Sequence, residues 1–465
     1  MTSSKIFKSQ TSFALHSSRV LTPKGLRDAT VFIKDGIIAD IEEGLVERPG
    51  FPVEELGKLV LMPGLIDSHV HINEPGRTEW EGFETITRAA VAGGITTLVD
   101  MPLNASPVTV DADSFQKKLD SAAGKLYCNT GFWGGLIPGN TDALEELIAK
   151  GVLGFKAFLT HSGIDEFPNV SKIDLSEAMP ILAKHDLPLL VHAELDEPHE
   201  GLNALDKSPT SYQAYLQSRP KSWEDNAIKM MIGLCKQFEC RVHIVHLSSA
   251  DSLGQIKIAR ERGLPLTVET CPQYLYFNAE DIPDGMTIYK CAPPIRERAN
   301  NEKLWKGLKD GLIDFIVTDH SPSTPDLKKI ESGNLKEAWG GISSIQFSLP
   351  ALWTKARKRG LSLRDISMIM STKIASFIGF GNRKGEIRKG FDADLVAWDP
   401  EQRFKVEEHD VHFKHKISPY IGEYLDGVVK KTYVGGKKVF EEGKIIGGPE
   451  GKILLRPKHV DVMIN

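Results

Sequence analysis

Eight short apolar runs, each separated from the next by a stretch that favours helix, constrain this chain more than any other feature. The runs are Leu65–Ile72, Thr96–Met101, Leu126–Trp133, Gly154–Leu159, Pro188–Ala193, Arg241–Leu247, Pro265–Thr270 and Ile313–Thr318. Among the stretches between them are Glu81–Ala92, Thr141–Lys150, Asp174–His185, Trp223–Phe238, Ala250–Arg262 and Asn301–Asp310, and Leu361–Gly379 adds a last helical segment. Strands that alternate with helices call for a parallel sheet, because a long crossover must carry the chain back to the start of the next strand. Eight such units over roughly 250 residues predict a closed α/β barrel of the TIM, (β/α)8, type. The competing arrangement is an open, doubly wound sheet. No Gly-rich dinucleotide fingerprint follows the first run, and the count of eight favours the barrel.

The flanks have a different texture. Residues 13–60 alternate short β-rich runs with turns, and Asp35-Gly36 between two apolar runs is a hairpin signal. From Gly385 the β texture returns in Ala393–Trp398, Lys431–Val434 and Lys437–Phe440. Neither flank has residues enough for a core of its own, so a small β-sandwich built from both chain ends is expected beside the barrel. The expected division is 1–60 and 385–446 for the sandwich, 61–384 for the barrel, and 447–465 for a tail or oligomer arm.

Composition narrows the partners. The formal net charge is -5, with no basic patch to suit nucleic acid, and no apolar run approaches a membrane span. Five scattered cysteines without a CxxC pair suit free thiols in a reducing compartment. The acid-free, Ser- and Lys-rich start resembles a transit peptide in composition. Strand-like runs at Phe13–Leu15 and Arg19–Leu21 leave the free leader too short for a good presequence, so the cytoplasm is the expected compartment.

Active sites of barrels sit at the C-terminal ends of the strands, so the polar residues that end each run matter most. The first run ends in His69-Val70-His71, whose two imidazoles share one face of a strand because side chains alternate. The fourth carries Lys156, the fifth ends at His192, the sixth at His246, and the eighth at Asp319. Each has a plain structural reading: a hydrogen-bonded histidine pair, a snorkelling lysine, a satisfied core histidine, a turn cap. His243 and His246 have opposite strand parity; His246, nearer the end, is the candidate, and His243 is structural. His320 orients or packs. Six such residues on these strands, taken together, outweigh the plain readings.

Together they suggest a chemistry. A lysine desolvated in a barrel shifts toward its neutral, nucleophilic amine. Such an amine can add carbon dioxide to form a carbamate whose two oxygens can bridge two metal ions. Two divalent ions flanking a water lower its pKa from about 15.7 toward 7 and polarise a carbonyl under attack. A neighbouring carboxylate then takes the proton and hands it to a leaving nitrogen, a role that Asp319 fits as both ligand and general base. HExxH, GxSxG and P-loop motifs are all absent.

Long stretches resemble the amidohydrolase superfamily, most closely the allantoinase group of its cyclic amidohydrolases. They are His69–Phe83, Thr87–Asn104, Phe155–Val170, Tyr212–Ile228, Lys290–Arg296, Val317–Pro322 and Trp339–Gln346. The resemblance implies two divalent ions, zinc first, with cobalt, manganese, nickel or iron as alternatives. One would be held by His69, His71 and Asp319, the other by His192 and His246, with carboxylated Lys156 bridging both. It also implies hydrolytic opening of the hydantoin ring of allantoin to allantoate, and often a homotetramer.

Departures from sister groups guide the substrate. Dihydroorotases place an Arg where Asn73 stands, and a neutral amide there suits an uncharged ureide. Dihydropyrimidinases and hydantoinases carry a Tyr soon after the carboxylated lysine, where this chain reads Thr160-His161-Ser162-Gly163. Asn73, Asn104, Cys291 and Ser321 are candidate substrate contacts. The rival readings are a hydantoin, dihydropyrimidine or dihydroorotate hydrolase, and a non-catalytic scaffold of the same fold, which the six retained ligands argue against.

Overall fold

A computed structural model of the chain describes residues 12–456. The first eleven residues, with most of the possible leader, and the end of the tail lie outside the described residues.

The eight apolar runs become eight parallel strands. They are Leu65–Val70, Ile95–Asp100, Asn129–Phe132, Phe155–Phe158, Leu189–His192, Val242–Ile244, Leu266–Thr270 and Phe315–Ile316. Each pairs in parallel with its sequence neighbour, the third reaching the fourth through Gly134–Gly135. A parallel bridge from Val70 to His320 joins the first strand to the eighth and closes the ring. The strands are buried on both sides, as a sheet with helices outside and packed side chains inside requires. Each predicted helical stretch is present with its ends shifted by a few residues, for example Phe83–Ala92, Lys172–Lys184 and Lys221–Phe238.

Both chain ends contribute to one nine-stranded sheet. Its N-terminal strands are Ser12–Thr22, Gly25–Lys34, Ile37–Glu43, Val53–Glu55 and Val60–Pro63; the C-terminal ones are Leu395–Lys405, Tyr424–Val434, Lys437–Glu441 and Lys444–Ile445. The hydrogen-bonded seam between the two ends is Val60–Pro63 against Leu395–Trp398. Asp35 (φ 52°) and Gly36 (φ 82°) make the tight turn between the second and third strands, the left-handed pair that a two-residue hairpin needs. This unit has its own core, in which Val31 and Ile33 from one end pack with Leu395 and Ala397 from the other.

Residues 451–456 do not hang free. Ile453 bridges Thr130 of the third barrel strand, and Arg456 donates its backbone N–H to Gly151. All five cysteines are free and buried. Among the described residues, no helix is long and apolar enough to cross a membrane.

Candidate metal centre and active site

Four of the nine non-glycine residues with positive φ among the described residues sit where barrel strands end: Asn73 (67°), Asn104 (66°), His246 (38°) and Asp319 (47°). Such backbone costs of order 1–3 kcal/mol per residue, and it persists where surrounding contacts hold it. Here the contacts are visible. Asp67 on the first strand accepts N–H groups from His69 and from Thr318 on the eighth. Asp100, ending the second strand, accepts from Ile72. Glu224 accepts from Ser248 and Ser249, both at 2.7 Å, just beyond His246. These acids fasten the loops that carry the site.

His69, His71 and Asp319 form a cluster whose ligand atoms all lie within 4.8 Å of one another. Asp319 Oδ1 is 3.2 Å from His69 Nε2 and 3.4 Å from His71 Nε2. Beside them His246 lies with its ring centroid 5.4 Å from that of His69 and 4.6 Å from that of His192. His192 Nε2 faces Glu194 at 2.7 Å, leaving Nδ1 as its ligand atom. Below this group Lys156 is wholly buried, and its Nζ has no hydrogen-bond partner. The geometry therefore brings His69, His71, His192, His246 and Asp319 together, with Lys156 close enough for its charge to act on His192 and His246.

Electrostatics follow from burial and pairing. Burial drives the Lys156 ammonium down to about 7, against the pull of Glu269 and Asp319. Burial opposes a charge on His69 too, but the carboxylates of Asp319 and Glu269 outweigh it and raise the imidazole to about 9. Burial also tends to raise Asp319, yet the surrounding histidines hold it well below the usual carboxylate range. His246 is held well below its usual value by burial and by His192 and Lys156. The result is a buried cluster in which the imidazoles of His71, His192 and His246 are held neutral, that of His69 carries a charge between two carboxylates, and the Lys156 amine has low basicity. That donor set suits divalent cations of intermediate softness. The unpartnered Lys156 Nζ is the observation that fits a carbamate: as an amine it is a buried donor with nothing to bind.

Two supporting acids were not singled out from the sequence. Glu269 on the seventh strand accepts from His69 Nδ1 at 2.5 Å and His243 Nε2 at 3.0 Å. Glu194 holds His192 and is itself held by Arg219. Carboxylates behind ligand histidines fix ring orientation and raise ligand basicity. The available signal was an acid at the buried end of an apolar strand, as in Leu266-Thr267-Val268-Glu269-Thr270. The choice between His243 and His246 stands for a different reason than strand parity. The strand stops at Ile244, and His246 reaches the site through its left-handed backbone. His243 packs inside the barrel against Phe315.

Above the centre opens a cavity of about 800 Å3, lined in part by Asn104, Phe158, Arg219, Ser321 and Trp339. Asn104 and Ser321 are thus placed on the wall. Asn73 and Cys291 are not. The positive φ of Asn73 turns its amide to the Pro322 carbonyl at 3.4 Å, so its bearing on the substrate lies in the charge it does not bring. Cys291 is buried behind Ala292, its carbonyl accepting from Tyr215 Oη. His320 Nδ1 accepts the N–H of Ser344, an orienting role.

The amidohydrolase family model matches residues 60–439. An allantoinase from Arabidopsis thaliana is 46% identical, over 95% of this chain and 90% of that protein. One from Saccharomyces cerevisiae is 41% identical, over 95% and 98%. Among solved structures, the L-hydantoinase (dihydropyrimidinase) from Arthrobacter aurescens superposes with a TM-score of 0.90 at 30% identity, covering 96% of this chain and 99% of that one. The chain belongs to the amidohydrolase family, in its allantoinase group.

Proposed function

We infer that this chain hydrolyses the cyclic amide bond of allantoin to give allantoate, a step of purine and ureide breakdown. The observation that carries it is the convergence of His69, His71, Lys156, His192, His246 and Asp319 beneath one cavity, in a chain whose full-length relatives are allantoinases.

His69, His71 and Asp319 would hold one divalent ion, His192 and His246 a second, and Lys156, carboxylated by carbon dioxide, would link them. Bound there, the ions supply an acidified water and polarise the carbonyl. Zinc is the first choice; cobalt, manganese, nickel and iron accept the same donors. Asp319, ionised and aimed at the centre, takes a proton from the water as its oxygen attacks the ring carbonyl. The ring C–N bond then breaks, and Asp319 returns that proton to the departing nitrogen, so the net change is addition of one water. Glu269 and Glu194 keep the imidazoles in the orientation the ions need. The ligand side chains are themselves buried, which strengthens each of these interactions. Asn104 and Ser321 stand where the ring would lie. A homotetramer in the cytoplasm completes the reading.

The deciding test is turnover of purified protein on allantoin, hydantoin, dihydrouracil and dihydroorotate. Faster turnover of any of the last three overturns the substrate assignment and leaves the family intact.

A further inference from the structure

The ligand histidines are not backed alike. His69 leans on Glu269 and His192 on Glu194, both carboxylates. His71 leans on a neutral amide: Asn104 Nδ2 lies 3.1 Å from His71 Nδ1, and both groups are buried. The other end of that amide, Asn104 Oδ1, is buried with no hydrogen-bond partner.

The atoms in contact pose a chemical problem. With its nitrogen toward the ring the Asn104 amide donates, and His71 Nδ1 is then the unprotonated nitrogen. The ring proton then sits on Nε2, which faces Asp319 at 3.4 Å. That arrangement is self-consistent without an ion. An ion in the His69, His71 and Asp319 cluster needs the Nε2 lone pair, so the proton must move to Nδ1, where it meets a donor. Turning the amide over by half a rotation about Cβ–Cγ cures this: Oδ1 then accepts the Nδ1 proton, and no partner of Oδ1 is lost in the turn.

We propose that Asn104 is the positioning residue for His71, its amide presenting nitrogen to the ring without an ion and oxygen with one. Of the common side chains of this size, only an amide serves both states. Aspartate serves the ion-bound state alone, and leucine neither. The left-handed backbone of Asn104 (φ 66°), which asparagine tolerates better than most residues, holds the amide against the ring. This assignment rests on the metal reading above. It moves Asn104 from substrate contact to support of the centre.

The experiment compares wild type, Asn104→Leu and Asn104→Asp, each loaded with zinc, by the rate of chelator-driven zinc release and by elemental analysis. Loss of a group behind a ligand histidine typically weakens metal binding about 10- to 100-fold, and Asn104→Leu should fall in that range. Asn104→Asp should hold zinc at least as firmly as wild type. Unchanged release from Asn104→Leu overturns the proposal, as does a matching loss in both variants, which would mark a role in folding the loop. A raised KM with unchanged zinc release would assign Asn104 to the substrate instead. If wild type itself holds no divalent ion, the metal reading fails first and this inference with it.

Discussion

Two buried lysines in this molecule live opposite lives. Lys156, inside the barrel, has no hydrogen-bond partner, and burial lowers it to about 7. Lys384, at the junction of barrel and sheet, is 3% exposed yet pairs with Asp394 at 2.5 Å and Asp392 at 2.9 Å. Burial works against its charge too, but the two aspartates win and raise its pKa. Asp394 also accepts from Asn129 of the third barrel strand and from Gly435 of the sheet, so this ion cluster fastens the two units together. The difference teaches that burial alone does not mark a functional lysine. What marks Lys156 is burial with nothing to satisfy it.

The largest effect expected from breaking this comparison is in Lys156→Ala. Activity and bound metal should both fall to background while the far-UV circular dichroism stays native, because no hydrogen bond is lost. Short-chain carboxylates should restore part of the rate by standing in for the carbamate. Full activity in this variant would remove the carbamate from the site. Next, Asp319→Asn removes the proton acceptor, and turnover should drop roughly 10²- to 10⁴-fold, the usual worth of a positioned acid–base group. An unchanged rate would put the base elsewhere.

Lys384→Ala should show the converse. It leaves Asp394 without its counter-ion and Asp392 with Arg383 alone, a change that costs about 3–5 kcal/mol when one partner of a buried pair is removed. Urea unfolding should show that loss, with turnover per folded molecule preserved. Equal stability to wild type would mean the cluster does not join the units. A smaller effect belongs to Glu194→Gln, which should weaken zinc retention by roughly 10- to 100-fold through a less basic His192; unaltered chelator release would contradict it.

The smallest signal is in pH, and the two lysines give it opposite signs. In carbonate-free protein stripped of metal, Lys156 has a folded value near 7 against the ordinary 10.5. Between those values the unfolded chain binds the extra proton, so this group makes stability rise with pH across that window. Lys384 is raised above 10.5, so its contribution is whole below that value and is lost as pH climbs through its folded pKa. Denaturation midpoints against pH should lose the rising slope in Lys156→Met and the alkaline fall in Lys384→Met. Identical profiles in both variants would refute the contrast.

The barrel and the six residues at its strand ends were legible because periodicity and position along a strand carry them. His69 and His71 share a face by alternation, and the eight runs count themselves. Other parts were not legible, for stated reasons. Glu269 and Glu194 act on histidines from other strands or from within their own, and the local signal, an acid at the end of an apolar run, does not say which imidazole it supports. Asn73 reads as a cavity residue from its place after His71, but one left-handed φ turns it to Pro322. The parity rule used for His243 and His246 applied to a strand that ends before the second of them.

By itself, the sequence determined the order of strands and helices, the residues that end each strand, and the chemical kinds of side chain available at the mouth. These are local properties of a chain with period 2 in strands and 3.6 in helices. Only the tertiary structure decided which buried lysine is paired, which acid stands behind which imidazole, and which asparagine faces the cavity. Those facts depend on residues tens to hundreds of positions apart coming within hydrogen-bond reach, as Glu269 does for His69 and Asp394 does for Asn129. Desolvation, which gives Lys156 its low basicity, exists only once the barrel has closed around it.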